Sequence, residues 1–259
     1  MKNAPSISEP FPKQSKLKDF FKPKPPTSSS QEDKKENKKD ERLKVIVHGK
    51  EREYFPQVPG LSLTKNFITQ AEEDYLWKEV NKLPWNTSLK RRKQTHGMTS
   101  DKETHTILEY LGELPSCTKF LTERLVDEGL LDEPPVQCGI NEYEPGQGIG
   151  PHIDRVIFGN QVIMVSLGSD IVMDFHGPKE EKFSVLLPRR SAVLAEGDAR
   201  FKWKHGIANR KSDKLSDGTI LKRGKRISLT FRYVDKTAPR RNHISLTEGN
   251  KDKAVAVDY

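Results

Sequence analysis

The stretch QVIMVSLGSDIVMDF, residues 161–175, reads as two β-strands joined by a turn. Apolar and β-branched residues flank Gly168-Ser169-Asp170, a cluster that punctuates strands and would break a helix. The same texture continues outward, in VQCGINEY before it and in KFSVLLP, SAVLAEG, FKWKHGI and RISLTFRYV after it. Several short strands separated by Gly, Pro and Asp predict an antiparallel sandwich or barrel. Ahead of them, Thr69 and Glu72 form a capping-box signature, and Tyr75, Leu76, Val80 and Leu83 follow at helical spacing up to Pro84. A second helix is expected after Leu114-Pro115-Ser116, burying Phe120, Leu121, Leu125 and Val126 and stopping near Gly129. The expected class is α+β, mainly β, with helices preceding and packed on the β core.

The ends of the chain differ in texture. Residues 1–42 contain PKPPTSSS and EDKKENKKDER and hold too little apolar surface to offset ordering entropy, which predicts a disordered tail. The first 50 residues carry 13 basic against 7 acidic side chains, +6 of the total +8. Any basic binding surface on the rest of the chain must therefore be local. A domain is expected over 43–238, opening with strands at Leu43–Val47 and Leu61–Leu63, and a C-terminal tail over 239–259. Two cysteines, Cys117 and Cys138, do not make a disulfide framework. The chain contains no apolar run near the ~20 residues of a membrane span and no secretory signal, so a reducing nucleus or cytosol is expected.

In GPHIDR, His152 and Asp154 are two residues apart and on extended backbone point to one side. His205, on a different predicted strand in FKWKHGI, is the candidate third ligand. Two imidazoles and a carboxylate form the facial triad of non-haem Fe(II), with positions left open for a chelating co-substrate and dioxygen. In RGKRISLTFRY, Arg226, Ser228, Thr230 and Arg232 alternate with Ile227, Leu229 and Phe231. One face of that strand is polar and carries two arginines, which need an anionic partner such as 2-oxoglutarate unless they sit on a half-exposed edge strand.

The order NEY, HID, distant His, RxxxxxR resembles the AlkB family of Fe(II)- and 2-oxoglutarate-dependent dioxygenases over roughly residues 58–235. The resemblance implies a double-stranded β-helix, or jelly roll, with His152, Asp154 and His205 holding Fe(II). It also implies that Arg226 pairs with the distal carboxylate of 2-oxoglutarate, that Arg232 lies near the metal-binding carboxylate, and that Asn141 and Tyr143 add co-substrate contacts. The basic segment LKRRKQTHGM falls where this family has its nucleotide-recognition lid, making Arg91, Arg92, Lys93 and His96 candidate substrate contacts. Trp85 is a candidate for base stacking or for packing; Trp203 and Phe201 share the side of His205, with Phe201 expected in the core. Arg189 and Arg190 read as charges decorating a turn.

NEYEPGQGIGPHID, VSLGSDIVMDF and LLPRRS are most similar to the branch of the family that hydroxylates a wobble uridine of tRNA. The tail points elsewhere. QSKLKDFF, residues 14–21, fits Q-x-x-L-x-x-F-F and resembles the motif by which replication and repair proteins bind the sliding clamp PCNA. Leu17, Phe20 and Phe21 would form a hydrophobic plug on one helical turn, with Gln14 in a polar pocket. The leading expectation is thus a nuclear dioxygenase that repairs DNA by oxidative dealkylation. A tRNA wobble-uridine hydroxylase is the alternative, and a non-catalytic clamp adaptor the second. Repair members of the family usually carry an acidic residue just beyond HxD, whereas Arg155 and Val156 follow Asp154 here.

Overall fold

The computed structural model describes residues 43–47, 49–100 and 108–234. The expected tails, and with them Gln14, Leu17, Phe20 and Phe21, lie outside the described residues. The chain begins with strands β1 (Leu43–Val47), β2 (Lys50–Tyr54) and β3 (Leu61–Thr64), followed by helix α1 (Gln70–Lys82). Strands β4 (Lys93–Ser100) and β5 (Leu108–Tyr110) precede helix α2 (Lys119–Asp127). There follow β6 (Gln137–Tyr143), β7 (Ile149–His152), β8 (Gln161–Leu167), β9 (Ile171–His176), β10 (Lys182–Leu187) and β11 (Ala192–Glu196). The short helix α3 (Gly197–Phe201) leads to β12 (Lys204–Ile207), β13 (Ser212–Lys214), β14 (Ile220–Lys222) and β15 (Arg226–Arg232).

Helix α1 starts where its capping box predicts. The Thr69 hydroxyl accepts from the Glu72 amide at 3.2 Å, and the Glu72 carboxylate accepts from the Thr69 amide at 2.8 Å. Helix α2 starts through a 3₁₀ turn at Ser116–Thr118, and Gly129, with φ of +65°, takes the left-handed conformation just past its end.

Nine strands form one sheet in the order β1-β2-β3-β11-β8-β15-β6-β4-β5, and four form a second in the order β10-β9-β12-β7. The strand pairings in both sheets are antiparallel, which makes the sandwich that the strand texture predicts and the jelly roll that the resemblance implies. The centre of the large sheet is buried on both faces. Ile163, Val165 and Leu167 of β8 and Ile227, Leu229 and Phe231 of β15 pack with Leu76, Val80, Leu121 and Leu125 of the helices. On the other side Met164, Leu63 and Val193 join Met173, Phe175, Val185 and Ile207 of the small sheet. Strict alternation along β8 thus serves two cores at once.

Two expectations are corrected here. FKWKHGI is not one strand: Phe201 ends α3, half-buried with the Arg200 guanidinium 4.8 Å above its ring, and belongs to neither core. Trp203 does enter the core, at 6% exposure. Within the basic segment, Lys93–Gly97 pairs with β6 as a strand of the large sheet.

Candidate active site

The small sheet brings two of the three expected ligands face to face. His205 of β12 lies in register with His152 of β7, and their ring centroids are 4.5 Å apart. So close an approach of β7 to β12 excludes side chains nearby: a Cβ on Gly148 would come within 2.1 Å of the Ile207 carbonyl oxygen. Asp154 sits just past the end of β7, with its Oδ1 3.9 Å from Nε2 of His152. One ligand atom from each of His152, Asp154 and His205 lies within 4.8 Å of the others, a spacing that one ion can bridge.

Protonation states suit a metal. Nδ1 of His152 lies 2.9 Å from the Gly150 carbonyl and must donate to it, so Nε2 is left as the ligating nitrogen. Burial lowers His205 to about 4, against the pull of Asp154, and keeps its imidazole neutral near pH 7. Burial alone would raise the Asp154 carboxyl, but the charge of Arg232 and the hydrogen bond it donates hold the carboxyl well below the carboxylate range. Arg232 donates to Asp154 Oδ1 at 2.7 Å and to Gln137 at 2.8 Å, while Asp154 Oδ2 is buried with no hydrogen-bond partner. A buried, ionised, half-satisfied carboxylate beside the neutral imidazole of His205 and the ring of His152 fits a divalent metal.

The co-substrate side is built on β15, which is a central strand between β8 and β6 and not an exposed edge. Arg226 is only 1% exposed, donates to the Ser166 hydroxyl at 2.9 Å, and leaves Nε and Nη1 without partners. Burial lowers its guanidinium to about 10, so it remains a cation at neutral pH. A buried arginine without a carboxylate partner calls for an anion, and a dicarboxylate's distal end meets that need. Tyr143 and Asn141 stand opposite Arg226 and Ser228 in the pairing with β6, so all four side chains share the face toward the small sheet.

The candidate substrate contacts separate. Arg91 stays at the site, with its Nε 3.0 Å from Asn141 Oδ1 and its guanidinium 5.6 Å from the Tyr143 ring centre. Arg92 forms a fork with the buried Glu142 at 2.6 and 2.7 Å and covers the ring of Trp85 at 4.3 Å. It is engaged in holding the fold together, and Trp85 packs against the helical core. Lys93 is in register with Asn141 and shares its face, whereas His96 is in register with Cys138 and faces the helices. Outside the site, Arg189 binds the buried Glu73 of α1 at 2.5 Å, so this turn charge ties its turn to the helix.

Sequence reading missed Arg200 of α3. It is 3% exposed and donates to the carbonyls of Asp154 at 2.8 Å and Arg155 at 2.6 Å. It carries no local signature, since its partners are backbone oxygens 41 to 46 residues away.

This geometry defines a candidate metal site on the small sheet of a jelly roll, and the chain belongs to the 2OG-Fe(II) oxygenase superfamily, whose family model matches residues 60–232. Its curated relatives include AlkB homologues. Mouse tRNA (carboxymethyluridine(34)-5-O)-methyltransferase ALKBH8 is 37% identical over 202 residues, which cover 68% of this chain and 30% of the mouse protein. The chain thus spans about a third of that relative. Uncharacterized protein L905 of Acanthamoeba polyphaga mimivirus is 33% identical over 189 residues, covering 71% of this chain and 90% of the viral one. The solved structure of OsALKBH1 shares the fold, with a TM-score of 0.51 at 18% identity over 68% of this chain and 97% of its own. The protein is therefore an Fe(II)- and 2-oxoglutarate-dependent oxygenase, and its cofactors are Fe(II), 2-oxoglutarate and dioxygen.

Proposed function

We propose that this oxygenase oxidises a C–H bond on a modified, uncharged base in nucleic acid, with a wobble uridine of tRNA as the favoured substrate. Bound together, iron, 2-oxoglutarate and dioxygen supply the oxidising power. The chain's own part is positional: His152, Asp154 and His205 hold the metal, and Arg226, with Tyr143 and Asn141 beside it, orients the co-substrate. The observation that carries the substrate reading is the pair that follows Asp154. Neither residue is acidic, and Val156 is 76% exposed. A pair without a carboxylate offers a cationic alkylated base no attraction over a neutral one. The likeness of the oxygenase domain to the mouse tRNA-modifying relative supports the same choice.

A second reading, oxidative dealkylation of DNA in the nucleus by an enzyme recruited to PCNA, rests on Gln14, Leu17, Phe20 and Phe21. In one experiment the purified protein is incubated with iron, ascorbate and 2-oxoglutarate, and tRNA and methylated DNA are then analysed by mass spectrometry. A gain of one oxygen on tRNA uridine is the expected result. Formaldehyde release from DNA would replace the first reading with the second, and turnover of neither would sink both.

A further inference from the structure

Between the last metal ligand and Arg226 the chain makes a small hairpin that sequence reading did not single out. Strands β13 and β14 pair with Ser212 opposite Lys222, Asp213 opposite Leu221 and Lys214 opposite Ile220. Period-two alternation sorts these residues onto two faces. The inner face carries Asp213, fully buried, which accepts from Arg223 at 2.7 Å, from Arg210 at 2.6 Å and from the Val172 amide of β9 at 3.2 Å. A two-stranded ribbon is marginal alone, and this clasp fastens it to the small sheet. The outer face carries Ser212, Lys214, Ile220 and Lys222, with both lysines exposed and Ile220 at 59% exposure.

Two like charges on one face of so small a ribbon oppose each other, and neither lysine has an ion-pair partner among the described residues. The one acid near the tip, Asp217, is occupied by the Thr219 amide at 2.8 Å. The hairpin also adjoins the co-substrate pocket. Lys225 at its base precedes Arg226, and the Arg210 carbonyl accepts from the Gly146 amide at 3.3 Å. Gln147, next in that loop, donates to the Lys90 carbonyl at 2.8 Å, beside Arg91 of the site. Lys90, Lys211, Lys214 and Lys222 are thereby exposed on segments that touch in series from the site's edge to the hairpin.

We infer that the outer face of the β13–β14 hairpin binds the phosphate backbone of a single nucleic-acid strand beside the base being oxidised. The inference rests on the nucleic-acid reading above and deepens it. Lysines at Lys214 and Lys222 match successive phosphates by charge, and the exposed Ile220 between them offers an apolar surface to a base or sugar. These side chains carry no sequence information and serve register and affinity.

The test is fluorescence anisotropy of a labelled single-stranded oligonucleotide against the full chain, native and K214E/K222E, over a range of salt. Native protein should bind, and the double variant should lose about tenfold in affinity, with a salt slope shallower by about 1.4. Binding of 2-oxoglutarate and thermal stability should be unchanged in the variant, and K214Q/K222Q should fall in between. Equal nucleic-acid affinity in native and variant proteins would overturn the hairpin assignment and leave the nucleic-acid reading standing. No binding by native protein at low salt would overturn both. Equally tight binding of poly-glutamate would reassign the hairpin to an acidic polypeptide.

Discussion

Arg200 donates to the backbone carbonyl of Asp154 at 2.8 Å while Arg232 grips the carboxylate of the same residue at 2.7 Å. The proposed metal ligand is thus held at both its main chain and its side chain by cations from different elements. Arg200 is a positioning residue, acting on the loop and not on the metal. Arg200→Met should weaken metal binding by roughly ten- to a hundredfold, as loss of outer-shell partners does, with the fold retained. Arg200→Lys should not restore it, because one ammonium cannot span the carbonyls of Asp154 and Arg155. Calorimetric titration of the apoprotein with Mn(II) or Co(II) measures this directly, and native affinity in Arg200→Met would refute it.

Arg226 sets stability against function. Two of its guanidinium nitrogens are buried without partners, which costs the apoprotein free energy that a bound carboxylate returns. Arg226→Met should weaken 2-oxoglutarate binding by roughly ten- to a hundredfold, corresponding to a lost charge-assisted bond of about 1.5–3 kcal/mol. The same change should raise the Tm of the apoprotein, since an apolar side chain replaces an unpaired buried charge. Tryptophan-fluorescence titration and a thermal melt give the two readings. A lower Tm with unchanged 2-oxoglutarate affinity would make Arg226 structural.

Glu72 links helix α1 to α2 and supplies a defined pH dependence. The hydrogen bond from Arg124 is the main cause that lowers its carboxyl from 4.5 to about 2. Because the folded state holds the proton less tightly than the unfolded chain, the stabilisation is complete above about 4.5 and is lost as pH falls through about 2. The pair is partly exposed, so screening limits its worth to about 1 kcal/mol. Urea unfolding at pH 3 and pH 6 should show a smaller pH-dependent loss in Glu72→Gln than in native protein. Parallel losses in the two proteins would assign the acid sensitivity to other carboxylates.

The proposed clamp contact can be tested apart from catalysis. Each buried Phe contributes roughly 1.5–3 kcal/mol, so Phe20→Ala with Phe21→Ala should abolish PCNA binding and leave 2-oxoglutarate turnover on a short oligonucleotide intact. Calorimetry of a peptide spanning Ser8 to Ser28 against PCNA measures the first effect. An inert native peptide would remove the main support for DNA repair.

Much of this architecture is legible in the chain itself, because it depends on local periodicity. Thr69 and Glu72 mark the start of α1, and the alternation of Ile227, Leu229 and Phe231 with Arg226, Ser228, Thr230 and Arg232 marks a two-faced strand. The two-residue spacing of His152 and Asp154 puts both on one side of an extended segment, but His205 joins them as a metal-binding set only with the β15 arginines and the family resemblance beside it. Periodicity determines which side chains share a face. It does not determine what lies across from that face, which depends on strand pairing between distant segments. Tertiary structure alone put a second sheet over the polar face of β15, so that Arg226 became a buried cation instead of an edge charge. Pairing across 50 residues committed Arg92 to Glu142, and register turned His96 toward the helices while leaving Lys93 beside Asn141. Arg200 was illegible for the same reason: its partners are main-chain oxygens, which every residue carries, and only the fold selects the carbonyls of Asp154 and Arg155.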